Sequence, residues 1–306
     1  MNKGFQYNMA TGRTVLPAAV IVSLALYALR FHDYYHLSGI VICMLSSYLL
    51  AGLNSAFGII RTRSYLAPAL FMFMYSAYSF MFDYHNIMVS LIPLLFIGSI
   101  FFIIRGYESN NVPVDVFNSF LCASLACISD SNMLVTVPVL FVSMVQLKSM
   151  NSRGLPAAVL GFAAPYWMIT GYYFLTDRVD EIGNVMLGLF CVNLLDFNSI
   201  NLINILFISI ILIIFISVSI LAGKVSLKDK VKNRSIIKNL NTMGTYLFIS
   251  VLVVPAFGIS LLPMMMLITA ILFGYVMTQI YNRFTLILLI STLLTVSAVA
   301  VYGSIV

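Results

Sequence analysis

The chain has 306 residues, of which 61% are apolar, 13% aromatic and only 8% charged, with a formal net charge of +6 and a mean hydropathy of +1.03. Soluble domains carry about 45–50% apolar and about 25% charged residues, so a water-soluble enzyme and a disordered chain are both excluded. The uncharged runs are long and continuous, unlike the alternating segments of roughly 10 residues that build a barrel wall, and they predict an all-α polytopic membrane protein with a single transmembrane domain over residues 1–306.

A helical span takes about 20 mostly apolar residues. In chain order, segments free of Asp, Glu, Lys and Arg predict spans over about 14–29, 37–60, 65–82, 87–104, 132–147, 155–176, 200–222, 243–261, 264–281 and 284–304. The first is expected to stay as a signal anchor, because Ala28-Leu29-Arg30-Phe31 offers no small-residue cleavage site. The stretch 243–282 is uncharged throughout, and Pro263 near its middle is expected to mark a tight turn between two helices. Pro138, Pro165 and Pro255 fall inside predicted spans and are expected to kink them.

Two runs of 14 residues, 116–129 and 182–195, are too short to assign by length. Charge sidedness separates the choices. With a cytoplasmic N-terminus and 116–129 spanning, 14 Lys and Arg residues lie inside, and only Arg30 and Arg178 lie outside. Spanning by 182–195 alone gives 13 against 3 and stays open. Spanning by both or by neither exports the basic stretch Lys224–Lys238. The preferred topology therefore has 11 spans, the N-terminus cytoplasmic, the C-terminus external, and 182–195 as an interfacial or re-entrant helix. The longest loop is about 20 residues, at 223–242, so any chemistry belongs within the helices or at their ends.

Polar residues that could carry function gather on the predicted external face. Arg30-Phe-His-Asp-Tyr-Tyr-His36 and Phe82-Asp-Tyr-His85 bring His32, His36 and His85 near Asp33 and Asp83. His32 and His36 share a face if their turn is helical. With Asp83 or His85 from the next loop they form a candidate divalent-metal site; no other cofactor is expected. Asp33 and Asp83 are the candidate catalytic residues of an enzyme reading. The plainer role for such His and Tyr side chains is interfacial anchoring.

A second set, Asn193, Asp196, Asn201 and Asn204, surrounds the start of the 200–222 span. Lipid-facing Asn is costly, so these residues are expected to line a polar substrate path or to bond neighbouring helices. Asn54 and Ser55 invite the same reading. On the cytoplasmic side Arg61, Arg63 and Arg105 sit at helix ends and could hold a lipid phosphate. The basic stretch Lys224–Lys238 is expected to lie on anionic phospholipid. The four cysteines form no paired motif and are read as core side chains. No nucleotide-binding glycine loop is present, and no nucleic-acid partner is expected.

Asn54-Ser-Ala-Phe, Arg61-Thr-Arg-Ser-Tyr-Leu-Ala-Pro68, Arg153-Gly-Leu-Pro-Ala-Ala-Val-Leu-Gly161 and Tyr172-Tyr-Phe174 resemble a family of multi-pass inner-membrane proteins from Bacteroidota that has no assigned function. The resemblance covers about residues 50–175. It implies a bacterial inner (cytoplasmic) membrane and hands over no catalytic residue. Asp33, in the first external loop, is also similar in position to the acidic residue of membrane glycosyltransferases that use polyprenyl-phosphate sugars, although their first loop is usually longer. Three functions follow as expectations: a carrier or flippase for an amphiphilic or lipid-linked envelope intermediate, a non-catalytic subunit bound to a membrane protein partner, and a membrane enzyme with the external His/Asp site.

Overall fold

The computed structural model describes residues 12, 14–29, 34–60, 64–81, 87–107, 109, 111–178, 183, 202–253 and 256–305. Among them the regular structure is helical throughout: α1 (Val15–Leu29), α2 (Tyr34–Phe57), α3 (Leu66–Met81), α4 (Ile92–Arg105), α5 (Val112–Ser129), α6 (Thr136–Gln146), α7 (Gly154–Leu175), α8 (Leu202–Ser226), α9 (Val231–Val253), α10 (Ala256–Gln279) and α11 (Arg283–Ile305). One helical turn, Ile87–Ser90, precedes α4, and a 3₁₀ segment, Ser131–Val135, leads into α6. Among the described residues, six stretches are long and apolar enough to cross a membrane: Ser38–Phe57, Met88–Arg105, Val112–Ser129, Ile205–Ser226, Val231–Val253 and Ser260–Gln279. Large apolar side chains such as Ile21, Val41, Trp167, Ile213 and Leu294 face outward, as expected where the surrounding solvent is lipid. The chain is a multi-pass helical membrane protein.

Two helices form the centre. Every side chain from Ser260 to Thr278 on α10 is buried, and so is every one from Leu66 to Tyr78 on α3. They can approach closely because Gly274 has no side chain: a Cβ there would stand 2.8 Å from the Cβ of Ala67. α1, α2 and α11 pack on α3, and α8, α9 and α4 pack on α10, while α5 and α7 lie further out, packed on each other and, through α5, on α4. Gly161 likewise lets α7 close on α5, since a Cβ at that position would run into the carbonyl of Phe117. Small residues at helix crossings replace the hydrophobic driving force that lipid cannot supply. Polar side chains tie the helices further: Ser119 Oγ donates to the Ser99 carbonyl at 2.9 Å, Asn132 Nδ2 to Ser260 Oγ at 3.2 Å and Gln146 Nε2 to Thr242 Oγ1 at 3.0 Å.

Contacts between helices fix their directions. The α2–α3 corner meets the α8–α9 corner, where Asn233 Nδ2 donates to the Gly58 carbonyl at 3.2 Å. The C-terminal part of α10 reaches the same corner, with Tyr275 Oη donating to Asp229 Oδ2 at 2.6 Å. Phe57 and Phe101, with ring centroids 5.2 Å apart, bring the C-terminal half of α4 there too. At the opposite end, Asn132 joins the start of α10. One end of the bundle therefore holds Arg105, Lys148, Arg153, the Lys224–Lys238 cluster and Arg283, that is, every described Lys and Arg except Arg178. α7 starts at this basic end and α8 finishes there. α7 therefore ends, and α8 starts, at the far end.

Several boundaries differ from the sequence expectation. Pro263 does not mark a turn; it lies inside α10. Enclosure by other helices lets a buried membrane helix absorb the lost backbone bond. α9 ends at Val253 and α10 starts at Ala256, so Pro255, expected in mid-helix, falls in the short connection outside the described residues. Pro138 lies in the first turn of α6, where a proline removes little, and Pro165 alone of the three sits well inside its helix. The expected 223–242 loop is mostly helical: α8 runs to Ser226 and α9 starts at Val231. Ile236, Ile237 and Leu240 bury one face of that early α9 segment and hold it to the bundle. The run 116–129 forms most of α5, whereas 182–195 lies outside the described residues apart from Gly183.

Candidate functional site

A groove of about 800 Å³ opens at the basic end, between α1, α2 and the connection from α2 to α3. It begins where α2 stops. Asn54 Oδ1 accepts the backbone N–H of Ile60 at 3.0 Å, and Gly58 takes a left-handed conformation with φ +59°, which glycine adopts without penalty. The chain then turns into α3, whose first amide, that of Leu66, is capped by Ser64 Oγ at 3.2 Å. Asn54, Ser55, Gly58, Ile60, Ser64 and Tyr65 thus form the rim.

Deeper in the groove the lining turns apolar. Leu16 and Val20 come from α1, Met44 and Ala51 from α2, and Met72 from α3. From Gly58 back to Met44 the groove follows α2 for roughly 21 Å, at 1.5 Å per residue. That distance exceeds half of a hydrocarbon core about 30 Å thick. Gly52 keeps the wall open, because nothing lies within 4 Å of where its Cβ would be. Tyr48, 76% exposed, flanks the opening on the lipid-facing surface of α2. Ser47 lines the middle, with its hydroxyl donated to the Pro68 carbonyl at 3.3 Å. The site therefore has a polar mouth at the basic end and an apolar interior.

The sequence-predicted residues fall unevenly around this site. Arg61 and Arg63 lie outside the described residues, but in the chain they stand directly between Ile60 and Ser64, which both line the rim. Arg105 is elsewhere, at the α4–α5 corner. Its Nε stands 3.5 Å from Asp115 Oδ1, with the guanidinium exposed and the carboxylate buried. Asp115 Oδ2 has no hydrogen-bond partner, and Gly106 packs against the Asp115 Cβ. Arg105 is thus engaged by a carboxylate and does not line the groove.

His32, Asp33, Asp83, His85, Asn193, Asp196 and Asn201 lie outside the described residues. His36 and Asn204 belong to the first turns of α2 and α8 by backbone only. Among the described residues, no group of three His, Cys, Asp or Glu side chains could hold a metal ion. Cys43, Cys122 and Cys127 are free thiols.

Sequence reasoning picked out Asn54 and Ser55 but passed over Tyr48, Gly52 and Ser64. The available signal was the density of small and polar residues in Ser46-Ser47-Tyr48 and Gly52-Leu-Asn-Ser55, unusual for a lipid-facing helix. Comparison of the chain with protein-family models, with curated proteins and with solved structures finds no match. The functional reading rests on the geometry.

Proposed function

We propose that this protein is a carrier or flippase-like component of a bacterial inner membrane that handles an amphiphilic or lipid-linked envelope intermediate. The observation that carries the reading is the groove's change of polarity, from Asn54, Ser55 and Ser64 at the rim to Val20, Met44 and Met72 within. An amphiphile has that same division, and the volume falls in the roughly 300–1,000 Å³ range of small-molecule sites. The location follows from the resemblance of residues 50–175 to Bacteroidota inner-membrane proteins.

In this proposal the basic end is cytoplasmic by the positive-inside rule, the chain spans 11 times, and the termini lie on opposite sides. The Lys224–Lys238 corner contacts anionic phospholipid. Asn193, Asp196, Asn201 and Asn204 are assigned the polar substrate path in this reading, and Arg61 and Arg63 are assigned to binding its charged end.

The test is native mass spectrometry of the protein extracted gently from its own membrane, alongside the Gly52→Phe variant. The expected result is one retained amphiphile on the wild type and none on the variant. A stoichiometric second protein with no amphiphile would establish the subunit reading instead.

A further inference from the structure

We infer that the seam between the C-terminal turn of α6 and the early turns of α9 binds a monovalent cation, at a site separate from the groove and independent of its reading. Gln146 is the last residue of α6. Its Nε2 donates to Thr242 Oγ1 on α9 at 3.0 Å, and Thr242 gives its own hydroxyl proton to the Lys238 carbonyl at 2.9 Å. Thr242 can therefore only accept from Gln146, which fixes the amide with Nε2 toward Thr242 and Oε1 turned away from it. That Oε1 is buried and has no donor among the described residues. Asn239 lies three residues before Thr242, on the same face of α9, and is fully buried. Its Nδ2 reaches only the Met243 sulfur, a weak acceptor, at 3.9 Å, and its Oδ1 likewise has no donor among the described residues.

The hydroxyls around the seam have no proton to spare for these oxygens. Like Thr242, Ser143 and Ser149 donate to main-chain carbonyls, those of Val139 at 2.8 Å and Met144 at 3.3 Å. Lys148 and Lys238 are exposed and hold their ammonium groups toward solvent. The end of α6 adds negative potential. Lys148 turns the chain out of the helix with φ +53°, and the aligned peptide dipoles leave partial negative charge on the last carbonyls. Two buried amide oxygens beside a helix C-terminus thus present acceptors without donors, the surroundings that suit a hard cation. The described carboxylates are engaged or distant: Asp229 accepts the Tyr275 hydroxyl, Asp115 pairs with Arg105, and Asp130 and Asp177 belong to the far end. Divalent ions are held by carboxylates, so neutral oxygens alone select a single positive charge. A cation held here ties the end of α6 to the basic segment of α9.

The experiment follows thermal unfolding of the full chain in detergent, at one ionic strength, in sodium, potassium or choline chloride. Sodium or potassium is expected to raise the melting temperature over choline by about 3 °C, saturating with concentration; the salt that does so identifies the ion. Gln146→Met and Asn239→Leu are each expected to abolish the rise while melting in choline no lower than the wild type, since each removes a buried oxygen that lacks a donor. Gln146→Glu sets a charged oxygen at the site and is expected to lower the half-saturating concentration roughly tenfold. Equal melting of the wild type in all three salts overturns the inference. So does a rise that survives both Gln146→Met and Asn239→Leu, which would put the cation elsewhere. Should those two variants fail to fold, Gln146→Glu decides: an unchanged half-saturating concentration overturns the site.

Discussion

Gly52 is the residue on which the groove's width depends. Because the space beyond its Cα is open, a larger side chain can fill the groove without disturbing the core. Gly52→Phe is expected to melt within about 1 kcal/mol of the wild type, with any change toward greater stability, since glycine is a poor helix former. It is expected to lose amphiphile retention completely. Thermal unfolding in detergent, run beside the mass measurement, separates the two effects. Asn54→Leu should behave differently: removing the acceptor for the Ile60 amide costs about 1–2 kcal/mol, so both melting temperature and retention should fall. A variant that keeps its melting temperature contradicts the Asn54 cap. At this scale the sequence was partly legible. Asn54 and Ser55 stand out because amides and hydroxyls are conspicuous in an apolar run. Tyr48 and Ser64 do not, because aromatic and hydroxyl residues near helix ends are ordinary and only packing shows which of them border a space.

Helices were read well where charge bounded them and poorly where it did not. α5 emerges from 116–129 although that run is short, because the helix also takes in Val112–Asp115 and buries Asp115 beside Arg105. The 243–282 region went wrong for the opposite reason. Its uncharged length invites division at Pro263, yet α9 starts twelve residues before residue 243, at Val231, and uses Ile236, Ile237 and Leu240 to pack a basic segment against the bundle. The division between helices then falls near Pro255, and Pro263 is carried inside α10. Charged residues end a membrane span but do not end a helix, and this difference cannot be read from hydropathy. The α5–α7 crossing offers a direct check on element packing. Gly161→Val drives a side chain into the Phe117 carbonyl. Overpacking of this sort costs typically about 1–3 kcal/mol, visible as a lower melting temperature, while the basic-end surface and the groove are untouched. Unchanged melting would mean that α5 and α7 are not in close contact.

Across the whole molecule, the alternation of helix directions gathers the basic residues at one end. Single-cysteine reporters at Lys148 and Arg178, in a chain stripped of its four native cysteines, are expected to react with impermeant reagents from opposite sides of the membrane, Lys148→Cys from the cytoplasm. Because α7 ends and α8 starts at the Arg178 end, a reporter at Gly183 is expected to follow the Arg178 side; labelling from the cytoplasmic side would restore 182–195 as a spanning segment in place of the preferred topology. Sequence alone left that choice at 14 against 2 or 13 against 3, and this labelling experiment decides between the two. The enclosure of α10 has a consequence for how the protein is made. A helix without a lipid-facing side chain from Ser260 to Thr278 is synthesised after the nine helices that precede it in the described residues. Until the ribosome delivers it, α3 lacks the partner that covers Ala67, and the earlier helices cannot close into their final arrangement. Biogenesis must therefore hold an open, unfinished bundle in the membrane and admit α10 to its middle after those nine helices, which makes its arrival the point at which assembly succeeds or fails.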